Sequence, residues 1–189
     1  MKTNYLEYLK YILEHKRNVF KICWKRRLYL HAFTHDLSKF YPNEFIPYAK
    51  WFYGEYGVKI NNDIENKPIS IKVKHSLLKV RFKKAFERHY LKNKHHWNYW
   101  INQRMPEKYI KQMICDWEAM SLKFGGTAQE YYMNSYDKID LTIESRCILE
   151  FNLGLIPGEL LCSNVTWRQC CDNLGITMKE DLKRLKYID

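Results

Sequence analysis

Apolar side chains recur at helical spacing along most of this chain, and that periodicity constrains the fold more than any other feature. Near the N-terminus it follows Asn4 and Glu7, which have the spacing of a capping box. The apolar residues of this first segment include Leu6, Leu9, Leu13 and Phe20. His15 shares a face with Val19, and we expect that face to point inward. The pattern predicts an α-helix over about residues 4–24 with His15 buried.

Further helical patterns follow, separated by proline and glycine. They cover about residues 28–40, 44–56, 77–92 and 106–124, and Thr127 with Glu130 and Asp140 with Glu144 predict two more helix starts. Residues 57–76, with Pro68 and an alternating apolar pattern from Ile69, favour a surface loop or short strand. The predicted fold is all-α, with one helical bundle over residues 1–162 and a short helical extension over residues 163–189.

Positive charge is concentrated in the first half of the chain. Residues 1–100 contain 21 lysines and arginines and 8 acidic residues, whereas residues 101–189 contain 11 and 13. This asymmetry favours an anionic partner, and phosphorylated small molecules, nucleic acid and an acidic protein all fit it. A basic surface that is only solvated is the alternative.

Other sequence features favour a soluble protein. The longest apolar stretch, about residues 148–157, is interrupted by Glu150 and is shorter than the roughly 20 residues that cross a bilayer. The N-terminus resembles neither a signal peptide nor a transit peptide. The six cysteines show no C-x-x-C spacing and are expected to be reduced. We therefore expect a cytoplasmic protein without membrane contact.

Histidines and aspartates on separate predicted elements are candidate metal ligands. They are His15, His35, Asp36, His89, His95, His96 and Asp116. Imidazole and carboxylate together suit several divalent metals, so Mn, Mg, Fe, Co and Zn all remain open. His31 and His75, taken singly, are expected to be ordinary core or surface residues.

The segment His35-Asp36-Leu37-Ser38-Lys39 strongly resembles the H-D-(apolar)-(small)-K signature of the HD superfamily of metal-dependent phosphohydrolases. The superfamily's ligand order H, HD, D is matched by His15, His35-Asp36 and Asp116. The chain is more closely similar to an HD-like family of bacteria and phages with the motifs HK-x-x-V, HDLSKF, P-x-EF, N-x-HHW and MICDW. These motifs occur here in that order between about residues 8 and 125.

This resemblance implies a ligand set for a divalent metal. His15, His35, Asp36 and Asp116 would hold one ion, and Asp36 would bridge to a second ion held by His89 and one of His95 or His96. Because His89 and His95 are only six residues apart, the alternative is that these histidines line the pocket above a single ion.

The resemblance also implies roles in catalysis and binding. Asp36, Lys39, His89 and His96 would be catalytic, and Lys39 would stabilise charge on the phosphate. We expect Lys39 and Asn93 to bind substrate, and the charge of the basic helix predicts the same for Lys84 and Arg88. The predicted function is hydrolysis of a phosphate ester or anhydride, with a nucleotide as the best-fitting substrate. The alternatives are an HD-fold module that binds nucleic acid or a partner without catalysis, and a di-iron HD-type oxygenase.

Overall fold

The computed structural model describes residues 3–155, and this part of the chain is all-α, as predicted. Its helices are α1 (Tyr5–Lys25), α2 (Tyr29–Thr34), α3 (Pro42–Tyr53), α4 (Ile69–Lys92), α5 (Glu107–Phe124), α6 (Ala128–Ser135) and α7 (Ile143–Asn152). Short 3-10 turns lie at Leu37–Phe40, Val58–Asn66, Trp97–Trp100 and Tyr136–Lys138. None of the helices within residues 3–155 is long and apolar enough to cross a membrane. The extension predicted over residues 163–189 lies outside the described residues.

Helix α1 has the predicted length but buries a different apolar stripe. The Asn4 side chain accepts a hydrogen bond from the Glu7 backbone N–H, which confirms the predicted start. The buried residues are Tyr8, Ile12, His15, Val19 and Cys23. Leu6 and Leu13 are instead 61% and 53% exposed. The helical period was therefore predicted correctly and His15 is buried, but Leu6 and Leu13 lie on the outer face of the helix.

The single helix predicted over residues 28–40 is wrong, because the chain breaks inside it. Helix α2 ends at Thr34, and Asp36 takes a left-handed conformation with φ 53° before the turn at Leu37–Phe40. The Lys16 ammonium donates hydrogen bonds to the carbonyl oxygens of Phe33 (2.8 Å) and His35 (3.0 Å). It thus satisfies carbonyl groups that a continuing helix would have paired.

Two other predicted boundaries also differ. The segment predicted as a loop or strand forms a 3-10 turn at Val58–Asn66, after which Pro68 precedes the long helix α4. The alternating residues from Ile69 are therefore helical, since the described chain offers no neighbouring strand with which they could pair. The capping box of Thr127 and Glu130 at the start of α6 is confirmed, whereas Thr142, not Asp140, caps α7.

Three apolar clusters surround a polar centre. One joins α1, α3 and α4 through residues such as Tyr8, Tyr48 and Ala85. Another lies among α5, α6 and α7, and a third joins α1, α2 and α5. Helix α1 packs against α2, α3 and α5, and α3 packs against α4. This arrangement brings residues that are distant in sequence to one buried position between the clusters.

Candidate metal centre

Donor atoms from α1, α5 and the break after α2 converge on one point. His15 Nε2 lies 3.2 Å from His35 Nε2 and 3.0 Å from Asp116 Oδ1. His35 Nε2 lies 3.3 Å from Asp36 Oδ2 and 3.5 Å from Asp116 Oδ1. Ligands bound at about 2.1 Å in octahedral or tetrahedral geometry are themselves about 3.0 to 3.4 Å apart. The spacing of His15, His35 and Asp36 therefore fits one divalent ion, and Asp116 Oδ1 lies within 3.5 Å of both histidines.

A second group of donors lies on the other side of the Asp36 carboxylate. Its Oδ1 atom is 3.4 Å from His89 Nε2 and 3.4 Å from His95 Nε2. His96 Nε2 lies 2.9 Å from His89 Nε2. Asp36 thus separates two donor groups and directs one oxygen toward each. We call them the His15 group (His15, His35, Asp36, Asp116) and the His89 group (Asp36, His89, His95, His96).

Several of these buried candidate ligand atoms make no hydrogen bond. Within residues 3–155, Asp36 Oδ1, Asp116 Oδ1 and His95 Nε2 have no hydrogen-bond partner. Asp36, His35, His89 and His95 are each at most 3% exposed. A buried carboxylate without full compensation is costly, and a cation among these atoms would remove that cost. The donor set therefore fits a metal ion, and subsets of it meet the distance requirement for metal binding.

The electrostatics of the centre keep the donors in the protonation states that bind metals. Burial lowers the pKa of His35 to about 3 and that of His96 to about 4, so both rings are neutral at pH 7. Burial raises the pKa of the Asp36 carboxyl, but nearby His35 and Lys39 outweigh this and hold it well below its usual range. Neutral imidazole and ionised carboxylate are the forms that bind a cation.

A buried carboxylate orients His89. Glu44 is 0% exposed, and its Oε2 atom accepts hydrogen bonds from His89 Nδ1 (3.0 Å) and Ser38 Oγ (2.8 Å). Asn93 Nδ2 in turn donates to Ser38 Oγ (2.9 Å). Because the carboxylate can only accept, His89 Nδ1 must carry a proton, and in the neutral ring this leaves Nε2 with a lone pair on the side of Asp36 and His96. Sequence reasoning missed the roles of Glu44 and Ser38.

His31 also belongs to the centre, although the sequence analysis treated it as an ordinary residue. Its Nε2 atom lies 3.3 Å from His35 Nδ1, and it is 7% exposed. His31, His35 and His95 form a further group whose donor atoms are close enough to hold an ion. The spacing of His31 and His35, four residues apart, was the signal available in the sequence, because such residues share a helix face.

Two cavities flank the centre. The larger, of about 940 Å³, is lined by His15, Lys39, His96 and Asp116 together with six aromatic residues and several small or polar ones. The smaller, of about 290 Å³, is lined by His31, His35, Asn93 and His95 among others. The Lys39 ammonium lies 2.6 Å from Asp36 Oδ2, and the nearby carboxylates of Asp36 and Asp116 outweigh the effect of burial and raise its pKa. A charged lysine therefore lies beside the donors, at the wall of the larger cavity.

The remaining predicted substrate-binding residues lie elsewhere. Lys84 and Arg88 are on the exposed face of α4 and line neither cavity. Arg88 Nε donates a hydrogen bond to the Lys84 carbonyl oxygen (3.3 Å). Asn93 contacts Ser38 and His89 and faces the smaller cavity. Of the four residues predicted to bind substrate, Lys39 alone lines the larger cavity.

A family model matches most of the chain. The model of a family of unknown function, DUF5662, matches residues 4–151. This range extends from the cap of α1 almost to the end of α7 and contains every residue of the His15 and His89 groups. No curated protein and no solved structure matches the chain.

Proposed function

The chain belongs to the family of unknown function DUF5662, and we propose that it is a metal-dependent phosphohydrolase that cleaves a phosphate ester or anhydride. One observation carries the proposal. Three carboxylate oxygens and five imidazole nitrogens from distant parts of the sequence meet around Asp36, beside a cavity whose wall contains the charged Lys39. Such a centre combines sites for divalent ions with a cation for a phosphate oxygen.

The sequence supports the same function. The order of His15, His35-Asp36 and Asp116 along the chain resembles that of the HD superfamily, whose members use these positions to hold metal for phosphate hydrolysis. The all-α bundle is compatible with this superfamily. A fold shared by many proteins does not identify an activity, so the proposal depends mainly on the donors themselves.

We propose that the centre holds two ions, with Asp36 between them. His15, His35 and Asp116 would hold one, and His89, His95 and His96 the other. The short sequence distance from His89 to His95 is compatible with a shared site because α4 ends at Lys92. The chain then turns back, so that His95 and His89 both approach Asp36 Oδ1 at 3.4 Å.

The bound ions and Lys39 would have different roles in hydrolysis. Bound ions would supply an activated water and would polarise the phosphoryl group. Lys39 would bind a non-bridging phosphate oxygen and neutralise charge that develops there. During hydrolysis the water oxygen forms a bond to phosphorus, the bond from phosphorus to the leaving oxygen breaks, and one water proton goes to that oxygen. The other proton stays on the oxygen that is now bound to phosphorus, so the second product is hydrogen phosphate.

Metal analysis and a phosphate-release assay together test the proposal. We expect purified protein to contain up to two divalent ions per chain and to release phosphate from members of a nucleotide panel with Mn²⁺, Mg²⁺, Co²⁺ or Fe²⁺. Asp116→Asn should abolish phosphate release and remove metal from the His15 group. Glu118→Gln is the control, because it changes a half-buried carboxylate on the same helix and should leave activity and metal content unchanged. A metal-free wild type whose melting temperature ignores added metal would refute the proposal.

Two alternative functions predict different results for the same purified proteins. Lys84 and Arg88, exposed on α4, favour nucleic-acid binding as a second candidate function. Salt-sensitive binding to RNA or DNA that survives Asp36→Ala and Asp116→Ala would support it. A di-iron oxygenase would consume oxygen with iron bound, whereas phosphate hydrolysis leaves the oxygen concentration unchanged.

A further inference from the structure

We infer that the larger cavity selects a phosphate monoester with a single phosphate group and an uncharged, ring-bearing leaving group, of the nucleoside monophosphate type. This inference rests on the proposed hydrolase function and narrows its substrate. The cavity of about 940 Å³ is next to both donor groups, since His15, Asp116 and His96 all line it. Its size lies within the range of about 300 to 1,000 Å³ that is typical of small-molecule sites.

We expect the charges along the cavity wall to limit the substrate to one phosphate group. Among the described lining residues, Lys39 is the one lysine or arginine. Lys123, above the Tyr11 ring, is not among the residues that line the cavity. A nucleoside triphosphate carries about four negative charges, and no second lysine or arginine among the described lining residues would pair with its further phosphates. A single phosphate can instead bind Lys39 and the centre while the rest of the substrate extends along the wall.

The wall beyond the centre is suited to a flat ring. Its aromatic residues are Tyr11, Phe86, Trp97, Trp117, Phe124 and Tyr131, and the thioethers of Met113 and Met120 lie among them. Phe124 is 67% exposed and Tyr131 is 48% exposed, although both line the cavity. Solvent-exposed aromatic rings at a cavity wall provide stacking surfaces for a nucleobase. An unbranched sugar phosphate or glycerol phosphate would leave these rings in water.

Polar groups for the edge of a base are present on the same wall. The side chains of Asn98 and Asn134 line the cavity, and neither makes a hydrogen bond to another residue within the described part of the chain. Each amide offers both donors and an acceptor, which are the groups that a base edge requires. Glu130 also lines the cavity, but its carboxylate is committed to the capping box with Thr127.

The test compares substrates that differ in one feature each. Protein loaded with Mn²⁺ is assayed for phosphate release from the four ribonucleoside 5′-monophosphates, their triphosphates, ribose 5-phosphate and p-nitrophenyl phosphate. We expect the best monophosphate to exceed both its triphosphate and ribose 5-phosphate at least tenfold in kcat/KM. Binding to the apo-protein is measured separately through quenching of tryptophan fluorescence, because Trp97 and Trp117 line the cavity.

Two variants test whether an aromatic residue of the cavity wall stacks on the base of the substrate. Phe124→Ala should raise KM for the monophosphate about 5- to 150-fold, the range expected for loss of one base stack, and should leave KM for ribose 5-phosphate unchanged. Leu122→Ala is the matched control, since Leu122 lies on the same helix, is 62% exposed and does not line the cavity. It should change neither value.

The possible outcomes distinguish the two proposals. Quenching by monophosphates without hydrolysis of any ester would support the ligand class and refute the hydrolase. Hydrolysis of p-nitrophenyl phosphate would support the hydrolase function. If triphosphates or ribose 5-phosphate are then hydrolysed with the same kcat/KM as monophosphates, the substrate inference is overturned. Equal effects of Phe124→Ala on the monophosphate and on ribose 5-phosphate would also overturn it.

Discussion

The contact between Glu44 and His89 leads to a quantitative prediction about the second ion. Glu44→Gln keeps the size of the side chain but removes the charge that holds the proton on His89 Nδ1. Because an amide can donate as well as accept, His89 would no longer be held in the tautomer whose Nε2 atom faces Asp36. Loss of such an orienting partner typically lowers metal affinity about 10- to 100-fold. We expect this loss at the His89 group only.

The same exchange should also weaken the fold. Glu44 is fully buried and accepts two hydrogen bonds, from His89 and Ser38. Hydrogen bonds to charged groups contribute about 1.5 to 3 kcal/mol each, and glutamine keeps part of this, so we expect a loss of about 1 to 3 kcal/mol in the apo-protein. For a domain of this size each kcal/mol lowers the melting temperature by about 2 to 4 °C.

Glu150→Gln is the matched control for this experiment. Glu150 is also fully buried, but it accepts a hydrogen bond from the Tyr132 hydroxyl within the cluster of α5, α6 and α7. Its exchange should destabilise the apo-protein without changing metal affinity. Isothermal titration with Mn²⁺ measures both sites. If Glu44→Gln binds two ions with wild-type affinity, the assignment of Glu44 as the partner that orients a ligand is refuted.

Three further predictions concern the same centre. Asp36→Asn should lose metal from both donor groups, because one oxygen faces each, and metal analysis showing a single remaining ion would contradict this. Lys39→Met should retain metal but lower kcat/KM about 100- to 1,000-fold, the usual cost of one electrostatic contact to a developing charge, measured by phosphate release. His31→Gln should weaken metal binding at His35 about 10- to 100-fold in titration, whereas His75→Gln, next to the Tyr56 carbonyl oxygen, should have no effect on it.

Local sequence patterns were sufficient for several elements of the fold. The cap at Asn4 and the capping box at Thr127 place helix starts correctly, because capping depends on side chains within a few residues of the helix end. The choice between the two faces of α1 was harder. Leu6 and Leu13 and the buried Ile12 are all apolar, and only contacts with α3 and α5 determine which face is covered.

The break between His35 and Asp36 could not be derived from local propensity. Nothing in residues 28–40 forbids a continuous helix, which is why one was predicted there. The break is held by Lys16, on another helix, whose ammonium binds the carbonyl oxygens of Phe33 and His35. In a regular helix adjacent residues point about 100° apart, so the break also allows His35 and Asp36 to face the same centre.

Sequence alone predicted the helical class of the chain, because periodicity is a local property, and the resemblance of its motifs to the HD superfamily singled out His15, His35, Asp36 and Asp116 as candidate ligands. It did not show that His31 contacts His35, that Glu44 contacts His89, or that Lys84 and Arg88 line neither cavity. Those facts depend on how α1, α2, α4 and α5 pack. Packing decides distances between residues far apart in sequence, and a metal centre is defined by such distances.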